Sequence, residues 1–233
     1  MSIISKFLKT VGTATVAASV LAGANLANAT DLQGFSATYA VKADGKSGTA
    51  TRTLTKNGNN YAYHVKASVS GVASLTQSAN FSLSGGTIIP ATSNMSVKVL
   101  GVGRTHNIKF NNSAKSVVST YKGKATTLSM KTQAYDDLSL EVQIRQELIN
   151  GKFRGNYPLV KKTNIESTKF KKSGNAKITV PAGTYDVVRI DRVHDDKGRA
   201  TSFWLAPSLN YLPIKVSQTN DGKVISMELT KIN

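Results

Sequence analysis

The 233-residue sequence contains no cysteine. That excludes disulfides, thiolate nucleophiles, cysteine-based zinc sites and a lipid-modified cysteine anchor. Histidine is scarce too: His64, His106 and His194 are the only three, and none stands at an H-x-H or H-x3-H spacing. No metal site and no cofactor are expected from such a set. No G-x-S-x-G turn is present to expose a serine nucleophile. Gly101-Val-Gly103 lacks the third glycine and the following helix of a dinucleotide site. The adjacent carboxylates Asp136-Asp137 and Asp195-Asp196 fit a helix N-cap and a turn better than acid–base work. These absences argue against an enzyme. Acid is short as well, with 13 Asp and Glu against 30 Lys and Arg, a net charge of +17.

What is present at the start of the chain reads as an export signal. Lys6 and Lys9 precede an uncharged run over residues 11–26 that is rich in alanine and valine. Ala27-Asn28-Ala29 then places small residues where a signal peptidase cuts. The run is shorter than the roughly 20 residues of a membrane span. The expectation is a signal peptide over residues 1–29, cleaved after Ala29, and a single β-rich domain over residues 30–233. Without Lys6 and Lys9 the remainder still carries +15 of the +17. That excess attracts anionic surfaces in general. For an exported chain, anionic lipid, acidic glycan or envelope proteins are the expected partners, and nucleic acid is not.

After Thr30 apolar residues recur at period two. Phe35, Ala37, Tyr39 and Val41 share one face, as do Tyr61, Tyr63, Val65, Ala67 and Val69, which is the pattern of half-buried strands. Asp44-Gly45, Asn57-Gly58, Gly85-Gly86 and Lys122-Gly123 mark turns. Pro90 reads as a break between short strands at 87–89 and 93–100. Residues 161–170 and 175–180 read as a hairpin around 171–174. Strands every 8 to 12 residues predict a mainly β fold, an antiparallel β-barrel or strongly curved sheet. One helix interrupts it near the middle of the chain, over residues 136–151, with Asp136 or Asp137 as N-cap and Asn150-Gly151 as stop. Leu140, Ile144 and Leu148 recur every fourth residue, and Leu138, Val142 and Ile149 widen the apolar arc. Such a helix is expected to be buried on much of its girth, plugging a barrel mouth or covering a sheet edge. Glu141 and Arg145, at i and i+4, are expected to pair on the remaining face.

Residues 180–216 hold the only tryptophan and three of the five prolines, in a strand–turn–strand pattern expected to close the barrel. Its aromatics Tyr185, Phe203, Trp204 and Tyr211 either line a ligand pocket or form barrel core. Lys161, Lys162, Lys169, Lys171, Lys172 and Lys177 fall on the neighbouring hairpin. They form either a positive patch for phosphate-rich head groups and acidic glycans or the lysines that keep an edge from aggregating.

Pro181-Ala-Gly-Thr-Tyr185, Trp204-Leu-Ala-Pro207 and Asn210-Tyr-Leu-Pro213 follow in order, and Asp137-Leu-Ser-Leu140 with Arg145 stands upstream. This set resembles a widespread bacterial family of exported periplasmic proteins classed as a domain of unknown function, with its W-L-A-P…N-Y-L-P signature. The resemblance implies a periplasmic, barrel-like domain and no catalytic residue. Two readings of function remain. One is a protein that binds an amphipathic or anionic envelope molecule, lipid or glycan. The other is a structural or assembly module that contacts envelope proteins or peptidoglycan through its basic surface. An envelope hydrolase ranks third. An open or filled interior separates the first two.

Overall fold

A computed structural model describes residues 32–233; the expected signal peptide lies outside the described residues. These form fourteen strands and one α-helix. The first run is β1 (Phe35–Ala43), β2 (Lys46–Asn57), β3 (Asn60–Val69), β4 (Ala73–Ser84), β5 (Thr87–Val99), β6 (Val102–Asn111), β7 (Ser116–Tyr121) and β8 (Lys124–Ser129). Helix α1 (Asp137–Ile149) follows. The second run is β9 (Asn156–Val160), β10 (Ile165–Val180), β11 (Gly183–Arg192), β12 (Arg199–Ala206), β13 (Leu212–Asn220) and β14 (Lys223–Ile232). All fourteen strands belong to one antiparallel sheet, in which β1 pairs with both β2 and β14. Two meanders are thus joined where the first strand meets the last, and β8 and β9 are left as edges.

The sheet is strongly curved and not closed by a ladder. Residues between β8 and α1 bridge the gap: Tyr135 N donates to Pro158 O at 3.0 Å and Val160 N donates to Tyr135 O at 2.8 Å. Ile108, Phe110, Val117, Met130, Ala134 and Val160 pack together across this seam. At the other end of β10 the hairpin tip folds back, and Ala182 N donates to Leu229 O at 3.0 Å. Val180 and Val187 thereby join Tyr39, Ile214 and Leu229 in one apolar cluster. Part of the stretch expected to close the barrel does bring two distant strands together.

Two expected breaks are absent. β5 runs through Pro90, which sits where the register with β4 shifts between Asn80 and Phe81. A residue without N–H fits where the ladder is already irregular. β10 is one 16-residue strand, not a hairpin. Ser173 and Gly174 form its bulge opposite β11, with Gly174 at φ +116.

Helix α1 fills the inside of the curve. Asp136 caps it, accepting from Leu138 N at 3.0 Å and Ser139 N at 3.3 Å. Ten of its residues, polar ones included, are buried. The polar residues at 141, 143, 145 and 147 each reach a different part of the sheet. Glu141 is paired with Arg52 of β2 and accepts from Tyr63 OH of β3 at 2.9 Å. Gln143 Oε1 accepts from Ile88 N of β5 at 2.7 Å. Arg145 donates through Nε and Nη2 to Asn210 O at 3.2 and 3.1 Å. Glu147 accepts from Arg154 Nε and Tyr157 OH, each at 2.6 Å. The expected Glu141–Arg145 pair does not form, because a strand cation reaches Glu141 and Arg145 turns to a backbone carbonyl. That contact ties α1 to the Asn210-Tyr-Leu-Pro213 segment.

Breaking a buried ion pair from one side leaves an unpaired charge and costs about 3–5 kcal/mol. Arg52→Met is therefore expected to destabilise by that order in urea unfolding, and Arg52→Met with Glu141→Leu to recover most of the loss. Equal loss in the single and double variants would contradict the coupling.

Burial pushes the Asp136 carboxyl up from 3.8 to about 6, against the hydrogen bonds from Ser139 and Leu138 that favour the anion. The folded state therefore holds this proton more tightly than the unfolded state. The associated stability is full below about pH 4 and is lost as pH rises through about 6. Asp136→Asn keeps the cap and should flatten the fall in stability over that window, roughly 3 kcal/mol for two pH units. An unchanged pH profile in the variant would refute the assignment.

Candidate functional site

The four aromatics do not share a wall. Phe203 and Tyr211 pack against the cluster around α1, whereas Tyr185 and Trp204 pack against the one built on β1 and β14. Neighbours on a strand point to opposite faces, so Phe203 and Trp204 cannot line one pocket. The barrel-core alternative describes Phe203, whose ring lies 6.4 Å from that of Phe170. Trp204 instead lies between cations, with Arg189 and Lys215 at 5.3 and 5.7 Å from its ring.

The six lysines are not one patch either, because the hairpin that would have gathered them is a single long strand. Lys161 and Lys162 lie in the β9–β10 turn, and Lys169, Lys171, Lys172 and Lys177 are strung along β10. Lys177 pairs with Asp186 at 3.1 Å. Lys162 stacks on the Tyr121 ring at 4.4 Å, and Lys172 lies 5.8 Å from Phe153.

A different grouping takes their place. Lys171, Arg189, Arg192, His194 and Arg199, with Asp191, Thr201 and Ser202, line a cleft of about 250 Å³ on the β11–β12 hairpin. The hairpin creates it by pairing: Arg192 opposes Thr201 and Asp191 opposes Ser202. Asp191 is the one carboxylate among the lining residues, and it is occupied. Asp191 Oδ1 accepts from Arg189 Nε at 2.8 Å. Burial raises the Asp191 carboxyl, but hydrogen bonds from Ser173, Ser202 and Arg189 outweigh it and hold the group below its ordinary value. Arg192 Nε is buried and has no hydrogen-bond partner among the described residues. Among those residues Lys171, Arg192 and Arg199 form no ion pair with an acid. Burial, and then the charges of Arg192 and Arg199, lower the His194 pKa. Its Nε2 lies 3.0 Å from Thr201 Oγ1.

Lys161 extends this field. Burial lowers its pKa, and Arg192 and Arg199 are among the charges that act on it. Of the six lysines named from the sequence, Lys171 lines the cleft, and the charge of Lys161 acts on His194 within it. The three arginines were missed. Their signal was a hairpin with cations on both arms, Arg189 and Arg192 before the turn and Arg199 after it.

The other histidines lie elsewhere. His106 Nε2 is 2.8 Å from Ser119 Oγ, which itself lies 3.1 and 2.9 Å from the carbonyls of Lys161 and Lys162. With the serine proton taken by a carbonyl, His106 is the donor. Burial lowers its pKa as well. His64 is exposed on β3. Among the described residues no group of three or more His, Cys, Asp or Glu is placed to hold a metal ion.

A mainly β protein whose curved antiparallel sheet wraps one buried helix, with a cationic cleft on the β11–β12 hairpin, is the class this geometry defines. Residues 35–230 match DUF3108, a family described as proteins of unknown function, and the chain belongs to that family. No curated protein matches. Among solved structures, a beta-barrel-like protein of domain of unknown function DUF1849 from Brucella abortus aligns with a TM-score of 0.56 at 11% identity, over 86% of this chain and 97% of that one. At that identity the likeness is one of fold. MucB aligns with a TM-score of 0.32 at 12% identity, over 86% of this chain and 52% of that one.

Neutralising Arg199 should release His194 from part of its repulsion. Arg199→Gln is expected to move the His194 titration midpoint, followed by NMR, upward toward the ordinary 6.5. A midpoint that stays put would show that the guanidinium does not act on the ring.

Proposed function

We propose that this chain is a non-catalytic envelope protein, exported by residues 1–29 to the periplasm. It holds the anionic group of an envelope molecule in the β11–β12 cleft. The shared chemistry is a phosphate or carboxylate, supplied by a lipid head group or an acidic glycan. The observation that carries the reading is the convergence of Lys171, Arg192 and Arg199 beside His194, with Arg192 Nε buried and unpartnered. A fork of guanidinium donors suits a planar or tetrahedral oxyanion.

The filled interior directs recognition outward. α1 occupies the space in which an acyl chain would otherwise lie, so a lipid is met by its head group. The same filling supports a second reading, an assembly module whose cleft takes a carboxylate of an envelope protein or of peptidoglycan. The ring nitrogens of His106 and His194 that are in contact meet hydroxyls rather than carboxylates, which supports a binding role over hydrolysis.

Inorganic phosphate, glycerol phosphate and galacturonate, titrated separately, should each shift the His194 ring resonances, and their order of affinity separates head group from glycan. Arg192→Gln with Arg199→Gln should weaken the best of them at least tenfold, about 1.4 kcal/mol, and Lys109→Gln on β6 should not. If none of the three anions perturbs His194, or if Lys109→Gln weakens binding equally, the cleft is not the site.

A further inference from the structure

Of the seven hairpin turns along one rim of the sheet, β9–β10 stands at the end, and β1–β2, β3–β4, β5–β6, β7–β8, β11–β12 and β13–β14 form a run of six. Backbone hydrogen bonds link each to the next. Asp221 N donates to Gly198 O at 2.9 Å, Asp44 N to Val224 O at 3.3 Å and Ser70 N to Ser47 O at 3.3 Å. Leu100 N donates to Val72 O at 2.8 Å and Lys122 N to Thr105 O at 3.0 Å. The rim is one continuous edge rather than six loose loops.

Exposed apolar side chains gather on it. Six of the eight exposed large hydrophobics stand there, Val99, Leu100, Val102, Val193, Val224 and Ile225, while Ile232 lies at the far end of β14 and Val118 within β7. The concentration is greatest at the β5–β6 tip, where Leu100 is 75% and Val102 74% exposed. Leu100 also has φ +48. The matching turn positions hold Asp44, Lys122 and Asp221, polar side chains of the kind that hairpin tips tolerate in water. A branched apolar side chain in the left-handed region and in water is unfavourable on both counts for the free protein. Such a local breach of the rules marks function more often than accident.

The surrounding charge says what would meet this tip. Lys98 and Arg104 flank it, and Lys46, Lys122, Lys197 and Lys223 are exposed on the neighbouring turns. The rim also carries Asp44, Asp195, Asp196 and Asp221, of which Asp196 accepts from Gly198 N at 2.8 Å and Asp221 from Asn220 Nδ2 at 3.1 Å. A protein partner selects a contiguous apolar centre depleted of charge. Here apolar points alternate with cations along an edge, which fits a fluid, planar, anionic surface.

We infer that this rim docks on an anionic lipid bilayer. Leu100 and Val102 enter the head-group layer, and Lys98 and Arg104 lie at the level of the phosphates. The inference does not need the β11–β12 cleft, since Leu100 and Val102 do not line it, and it fails or stands separately.

The test is sedimentation of the chain from Thr30 onward, which carries every described strand and the helix, with protein-free vesicles. Vesicles of phosphatidylglycerol in phosphatidylethanolamine should bind it, less so as salt rises, and phosphatidylcholine vesicles should not. Leu100→Asp should reduce partitioning about tenfold, and Ile232→Asp on the opposite rim should not. Leu100→Asn, whose side chain suits the turn, should lose binding while keeping or raising Tm, which separates docking from folding. Equal partitioning of wild type, Leu100→Asp and Leu100→Asn would overturn the inference. So would binding only to native membranes that carry their proteins, which would assign the rim to a protein partner.

Discussion

The pairing of Arg52 with Glu141 inside the sheet is the constraint on which the rest of the molecule depends. A sheet of many strands that curves this strongly encloses more space than its own side chains fill. α1 fills it, and a helix surrounded by strands must find partners for most of the polar groups it brings, Arg145 Nη1 and Gln146 Oε1 being buried without a hydrogen bond among the described residues. Glu141, Gln143, Arg145 and Glu147 do so by reaching β2 and β3, β5, the β12–β13 turn and β9 in succession. An ion pair of this kind adds little net stability over an apolar equivalent, but it penalises any arrangement that separates its members. The helix is thereby fixed in rotation and depth, and with it the seam between β8 and β9 that no ladder closes.

The division between interior and exterior chemistry follows. The inward-facing acids Glu141 and Glu147 each meet an arginine, Arg52 and Arg154, and the buried Arg145 is held by a backbone carbonyl. In the β11–β12 cleft the cations outnumber the acids, and Asp191 pairs with Arg189 alone among them. The inner set specifies the fold, whereas Lys171, Arg192 and Arg199 form no ion pair with an acid among the described residues.

The strands, the helix and its cap were legible from the sequence because each is governed by local chemistry: period-two alternation, Asp-Gly turns, and Asp136 ahead of an apolar arc. Features decided by strand neighbours were not. Gly174 carries the same signal whether it turns a chain or bulges a strand, and only the pairing partner β11 separates the two. Pro90 reads as a break until the shifted register opposite it is known. Phe203 and Trp204 look like one aromatic wall in sequence, although strand geometry alone sends them to opposite faces. Glu141 and Arg145 satisfy the helix spacing for a pair, and Arg52, 89 residues away from Glu141, decides otherwise. The cleft escaped notice for the same reason, since Arg192 and Arg199 meet only once the hairpin is folded.

The pairing of β1 with β14 has a consequence in time. A chain delivered amino end first, from a ribosome or through a membrane, can build β1 to β8 as a meander long before β14 arrives. During that interval β1 is a bare edge with an unfilled hydrogen-bonding row, and the Arg52 charge on β2 waits for a helix that emerges only after β8. Closure must await nearly the last residues, across a very long loop, and such pairings are slow to form. The nascent amino-terminal half is thus a period of sticky incompleteness, during which a chaperone at the exit, or the lysines already on the strands, must keep it from pairing with its neighbours.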